Sequence, residues 1–474
     1  MTVSDEEARC QTEQHCQQLE DVLRSLFTSQ ARQLAQETGF VQRHSPIDGA
    51  AFATTLVFGF LDEPDASYTD LQQVLACQDI VVSPQAIEQR MTEAASHFLL
   101  RMVEALLTVA LVRSACELEV LSGFAGVYLQ DGTIIDLPDD LQEHWRGCGG
   151  RTGSGGEAGM RIQVRLELQE GQLEGPWLQD ARASERSGAS SLEERPFPVG
   201  SLSITDTGLV TLERMRTQNE TGRYWLAPAS VRSKVVDHHG IVWELPALLA
   251  TRAKQGRQII DEEVLLGVSE RVPCRLIALP QERATGKESV TCKDRTARRK
   301  GSRHDVQVGR KKAPKGKSGR KHHREGVQRR QLGDWIVLLT NVPASRLSAT
   351  QARQLLRARW QEELLWKLWK QQGHLDVWRS EKSMRILCEL YAKLIGLIIQ
   401  HWLTIVGCWQ DPHRSLVKAG RAVRKFSVSL VLALDGVGSF HAILARSQRV
   451  MQRCRLNPRV KHPNTSQHLI QASG

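Results

Sequence analysis

Two short apolar runs in this chain each end on an acid. VYLQD (127–131) and SLSITD (201–206) have the length and the aromatic and β-branched content of strands, with Asp131 and Asp206 at their expected ends. A third run, RIQVRLEL (161–168), alternates with period two. Short strands followed later by helices indicate an α/β domain. Ligands of such sheets gather at the carboxyl ends of strands, so the position of the two acids matters as much as their charge.

The flanking segments have a different texture. Residues 1–38 are polar and helical in pattern, and residues 50–107 predict three helices, with a turn at Asp62 to Ser67. Ser83 before Pro84 is a helix start, a capping hydroxyl followed by proline at the first helical position. Two helices across a short turn permit a DNA-reading helix-turn-helix, although ordinary helical bundles share that spacing. The most apolar stretch, roughly 387–409, is interrupted by Glu389, Lys393, Gln400 and His401. A bilayer span needs about 20 residues with few charges, so this stretch reads as a buried core helix.

Between the second acid and the late helices the pattern changes again. YWLAPAS, GIVWELPALL and VPCRLIALP read as short β-like runs, followed by a basic segment and then GDWIVLLTNVP, a buried strand reaching a turn at Asn341 to Pro343. Ser348 and Gln351 form a capping box, which starts a helix expected to run to Gly373.

A chain of 474 residues is too long for one ordinary core, and 41% hydrophobic with 24% charged residues fits a globular protein. The acidic, polar N-terminus MTVSDEEARCQTEQHC lacks the apolar block of a signal peptide. Ten cysteines without a pairing pattern read as free thiols in a reducing compartment. The net charge of +10 is concentrated: residues 293–330 hold 16 Lys and Arg against three acids, or +13, and the remaining chain is −3. Such a segment attracts polyanions through counterion release. Arg310, Lys311, Lys312, Arg320 and Lys321 within it are candidate DNA contacts; the alternative is a solvated loop with no partner.

At about 100° per residue, Arg359, Glu363, Trp366 and Lys370 fall on one helix face within roughly 60°, and Glu362 points about 100° away. A carboxylate flanked by an arginine and a lysine can hold a metal while the cations hold phosphates. A salt-bridged helix face is the plainer alternative. Three converging carboxylates, two from strands and one from a late helix, meet the requirement for phosphoryl transfer with two divalent ions, and oxygen donors suit magnesium or manganese.

QDGTIIDLP, ITDTGLVTLERMRTQNETGRYWLAPAS and LLTNVPASRLSATQARQLLRARWQEELLWKLWKQQGHLD resemble, in order, the three catalytic motifs of DDE transposases, and most closely those of the insertion-sequence-four family. The resemblance covers most of residues 45–410. It implies an α/β fold with a ribonuclease-H-like catalytic core interrupted by a β-rich insertion, a helical N-terminal domain and a helical C-terminal region. The corresponding boundaries are 1–120 (helical, DNA-binding candidate), 121–214 (first core part), 215–333 (insertion), 334–409 (second core part) and 410–474 (helical).

By the same resemblance Asp131, Asp206 and Glu363 are catalytic metal ligands for two Mg²⁺ ions, with Mn²⁺ as a substitute. Arg359 and Lys370 match the family's Tyr-Arg-Glu-Lys spacing and imply phosphate clamps, with Trp360 as the usual neighbour of the arginine. The tyrosine position holds Leu356, a departure from the family. The implied activity is cut-and-paste transposition on double-stranded DNA, with terminal inverted repeats and target DNA as partners. The implied assembly is a homodimer at the DNA, in the cytoplasm with the nucleoid. A nuclease that cuts without joining and an inactive, transposase-derived DNA-binding protein are the competing readings.

Overall fold

The computed structural model describes residues 3–107, 109, 116, 118–149, 156–184, 194–209, 211–281, 334–458 and 465–473. The basic segment 293–330, with Arg310, Lys311, Lys312, Arg320 and Lys321, lies outside the described residues. The chain divides into two compact units, Met1–Thr205 with Gln354–Gly474, and Asp206–Arg353.

The first unit combines helices with four strands. Its strands are β1 (Val127–Leu137), β2 (Ala158–Glu167), β3 (Leu173–Asp180) and β4 (Leu202–Ile204), in the order β3-β2-β1-β4. β2 is antiparallel to both β1 and β3, and β4 runs parallel to β1 with Leu129 opposite Ile204. The polarity of β2 alternates but its burial does not, since Gln163, Arg165 and Glu167 are as buried as their apolar neighbours. Buried polar groups require partners. The Arg165 guanidinium donates to the Arg195 carbonyl (2.6 Å) and to Gln130 Oε1 (3.4 Å), and lies against the rings of Trp177 and Phe197. The Glu167 carboxylate accepts the Val127, Gln169 and Glu170 amides. Burial pushes the Glu167 carboxyl up from its ordinary range, against those three hydrogen bonds.

The helix Ser383–Cys408 forms the centre of the helical part and packs on Gly49–Asp62 and Glu93–Leu106. Its most apolar 18-residue window is 94% buried, in keeping with a core helix. Residues 50–107 form four helices where three are expected, because Met91 and Thr92 break the last one into Pro84–Arg90 and Glu93–Leu106. Thr92 caps the new start by accepting the Ala95 amide.

The second unit holds six strands, each antiparallel to its neighbours within the unit. Its strands are β5 (Tyr224–Pro228), β6 (Lys234–Val236), β7 (Val242–Glu244), β8 (Ile260–Leu266), β9 (Val272–Pro280) and β10 (Trp335–Thr340), ordered β5-β10-β9-β8-β6-β7. The helices Leu212–Glu220 and Leu245–Lys254 cover these strands, with Met215, Leu245, Leu248 and Leu249 packed against Trp225 and Leu276. Two expectations are corrected. GIVWELPALL is a strand only over Val242–Glu244, since Pro246 at the start of a helix sets the following turns helical. The strand GDWIVLLTNVP was expected to open the second core part at residue 334. It pairs with β5 and β9 instead, so this unit closes after it and spans 206–353, where 215–333 was expected. Arg275 on β9 then donates to the carbonyls of Val342 and Leu347, fixing the link that leads to the next helix.

Candidate active site

Asp131 was expected at a strand end. It stands inside β1, which runs on to Leu137 because Asp131 to Leu137 stay paired with β2. The end lies on the other edge, where the parallel partner β4 stops at Ile204. Leu129 lies opposite Ile204, the last residue of β4; Asp131 follows Leu129 by two residues within β1, and Asp206 follows Ile204 by two residues in the chain, past the end of β4. Asp131 is half-buried, and its Oδ1 accepts the Gly132 amide at 2.8 Å. Asp206 is exposed, and its carbonyl accepts the Leu209 amide, which closes a tight turn after the strand.

The capping box is formed: the Ser348 amide donates to Gln351 Oε1 and the Gln351 amide to Ser348 Oγ. The expected single helix is not continuous. It consists of Ala349–Ala358, a break at Arg359, Trp360–Lys367, and a π turn over Leu368–Gln372. At the break the Arg359 amide bonds back only three residues, to Leu356. Each i→i+5 hydrogen bond in the π turn widens the coil, which changes the facing of Lys370 from that of a straight helix.

Glu362 and Glu363 differ in exposure, in keeping with their expected different faces. Glu362 is 2% exposed, whereas the Glu363 side chain is 38% exposed and lies 3.7 Å from an Arg359 nitrogen. Trp366, expected on the same face as Glu363, is buried and meets Trp369 edge to face. It belongs to the core side of the helix. Trp360 is 48% exposed, with the Lys367 ammonium 5.5 Å from its ring centre.

Lys370 reaches across to the sheet. Its ammonium donates to the Ile134 carbonyl at 3.1 Å, three residues past Asp131 on β1, and stands 3.9 Å from Asp376. Asp376 was not singled out in the sequence, and neither was the network that holds its loop. The buried Lys393 ammonium donates to Glu389 Oε1 (2.7 Å) and to the carbonyls of Val377 (2.7 Å) and His374 (3.2 Å). The His374 ring nitrogen meets Asp65 at 2.8 Å, which ties the same loop to the N-terminal helices. Glu389 and Lys393 were visible only as interruptions of an apolar helix; their i,i+4 spacing with opposite charge is the signal that could have found them.

Carboxylate oxygens accessible to water are the donor chemistry that a hard divalent cation takes, and Asp131, Asp206 and Glu363 supply it. Among the described residues, no three His, Cys, Asp or Glu side chains stand close enough to share an ion. The Glu363 carboxylate forms a partly exposed pair with Arg359, one turn earlier, at 3.7 Å. An exposed pair of this length is worth at most about 1 kcal/mol, so exchanging it for a cation costs little.

Residues 122–399 match the family described as the transposase DDE domain, and the span includes Asp131, Asp206 and Glu363. The chain belongs to the DDE transposase family. The transposase for insertion sequence element IS231F of Bacillus thuringiensis subsp. israelensis is 24% identical over 390 residues, 80% of this chain and 78% of the relative. The transposase for IS231B of Bacillus thuringiensis subsp. berliner is 24% identical over 400 residues, again 80% and 78%. The transposase for IS1151 of Clostridium perfringens is 21% identical over 393 residues, 79% and 78%. This DDE transposase is therefore an enzyme of DNA transposition that depends on divalent metal, with a mixed α/β fold.

Proposed function

We propose that this transposase excises its own mobile element and joins it to target DNA, with Asp131, Asp206 and Glu363 as the ligands of two magnesium ions. The observation that carries the reading is the register of β1 and β4. Leu129 and Ile204 are the last residues that the two parallel strands pair, Asp131 and Asp206 each follow them by two in the sequence, and Lys370 from the Glu363 segment bonds to β1 three residues past Asp131. The strand order β3-β2-β1-β4, antiparallel except for its last pair, supports a ribonuclease-H-like core.

Magnesium at this site would supply the Lewis acidity that activates a water or hydroxyl and stabilises the leaving oxygen, with manganese as a substitute. The chain's own groups do the rest. Arg359 and Lys370 hold the scissile and neighbouring phosphates, and Trp360 offers an exposed aromatic face to an unstacked base. Water first attacks one strand at each element end. The freed 3′-hydroxyl then attacks the phosphorus of the opposite strand, expelling that strand's 3′-oxygen and closing a hairpin, which is reopened before joining. Leu356 carries no hydroxyl, so no step is assigned to it.

The DNA partners are the terminal inverted repeats and the target duplex. Two ends must be held at once, which calls for a homodimer on DNA, in the cytoplasm at the nucleoid. The N-terminal helices Tyr68–Ala76 and Pro84–Arg90 are candidates for reading the ends, and the basic segment 293–330 for backbone contact. The test is a supercoiled plasmid carrying the element's flanks, incubated with magnesium or with calcium. Cutting and joining in magnesium support the reading. Cutting without joining leaves a nuclease, and a mobility shift without cutting leaves a DNA-binding protein.

A further inference from the structure

Outside the basic segment the chain sums to −3, yet residues 411–458 hold nine Lys and Arg against Asp411 and Asp435, a local charge of +7. These residues form the helices Leu416–Arg424, Ser427–Leu434 and Phe440–Met451. Lys418 and Arg421 lie one turn apart on the first helix, and Arg446, Arg449 and Arg453 follow i, i+3, i+7 spacing along the third and just past its end. All five are exposed, and among the described residues none has an ion-pair partner. The Lys418 ammonium donates to the Arg455 carbonyl at 2.7 Å, which brings the two rows together where the third helix ends. The first and third helices pack directly on each other.

A cluster of unneutralised cations on packed helices is costly through mutual repulsion and has no role in this unit's core. The first of these helices also packs beside the Glu363 segment through its buried side. Gly420 lies against Leu368 of the π turn that carries Lys370, and a Cβ there would come within 3.3 Å of that side chain. Pro412, Leu416 and Val417 line one small cavity together with Gln361 and Leu364 of the Glu363 helix.

We propose that the face formed by Lys418, Arg421, Arg446, Arg449 and Arg453 is a second duplex-DNA surface, which grips backbone phosphates of the DNA leading to the active site. It rests on the transposase reading for its ligand, though not for its charge or geometry. Such a grip is independent of sequence and strongly salt-dependent, because each neutralised phosphate releases counterions.

The test uses the full chain with all five residues changed to alanine, and a second variant with Arg421→Lys, Arg446→Lys, Arg449→Lys and Arg453→Lys. Binding to a random-sequence duplex is followed by anisotropy across a salt series, beside plasmid cleavage in magnesium. The alanine variant is expected to bind at least tenfold more weakly at moderate salt. Its slope of log affinity against log salt should flatten by roughly 0.9 for each phosphate that it no longer neutralises, with the lysine variant near wild type. Unchanged affinity and slope in the alanine variant overturn the proposal, as does a lysine variant that fails equally, since charge is then not the cause. Selective loss of binding to anionic vesicles, with duplex affinity intact, also overturns it, in favour of a membrane surface. If the wild type does not cleave but the alanine variant loses duplex affinity, this surface stands and the proposed excision and joining by this chain fall.

Discussion

At the residue scale the two adjacent glutamates of the third motif have opposite fates. Glu362 is buried and Glu363 faces water beside Arg359. Asp131→Ala, Asp206→Ala and Glu363→Ala are each expected to abolish metal-dependent cleavage while leaving duplex affinity within about twofold, measured by plasmid nicking beside a gel shift. Full cleavage by any one of them removes that residue from the site. Glu362→Gln should keep cleavage, because its side chain points into the core; a dead Glu362→Gln with an active Glu363→Ala would falsify the helix register. Lys393 has a different role. It is buried with Glu389 and donates to two carbonyls of the Asp376 loop. Lys393→Met leaves a buried carboxylate without its cation, a loss of about 3–5 kcal/mol. Its unfolding midpoint in denaturant should fall accordingly, and a midpoint unchanged within error would show the pair to be dispensable.

At the scale of elements, the third motif is three helical pieces, and the turn that ends them is held by close packing. Gly373 lies against the core helix, where an added Cβ would meet Leu397 Cδ2 at 2.6 Å and the Trp369 carbonyl oxygen at 2.7 Å. The carbonyl is backbone and cannot rotate away. Gly373→Ala is therefore expected to destabilise by about 1–3 kcal/mol and, by displacing the π turn, to weaken the Lys370 bond to Ile134. Cleavage should fall more steeply than duplex binding. Equal stability and activity would show that the turn adapts without cost. Ser348→Ala breaks only the capping box, at about 1 kcal/mol, and serves as the mild control at the other end of the same motif.

At the scale of the whole molecule, the chain interrupts one compact unit with another. The inserted unit has six strands and its own core around Trp225, Leu248 and Leu276. Residues 293–330 fall between β9 and β10 of that unit and carry +13. They hold only Val306, Val308 and Val327 as large aliphatics, too few to build a core. Deleting them should leave a folded protein that still cleaves at low salt, with weaker non-specific DNA affinity and a flatter salt dependence. Loss of soluble protein would show instead that the segment packs within the unit, and an unchanged salt slope would show that its charge has no partner.

The sequence by itself determined what is local or set by pattern. The capping box at Ser348, the Ser83–Pro84 helix start, the two acids after short apolar runs and the buried helix over 383–408 all rest on interactions within a few residues or on burial of one face. The family motifs added the order of the three acids. Only the tertiary structure decided where β1 ends, because a strand stops separately on each edge, and β2 keeps pairing after β4 has stopped. Only it gave the strand at 335–340 to the inserted unit, since a buried strand's sequence does not name its neighbours. It also decided which polar residues of β2 are buried, and that Lys393 and Lys370 direct their charge at carbonyls distant in sequence. Burial and long-range hydrogen bonds depend on what the rest of the chain brings to a place, and periodicity within one segment does not encode that.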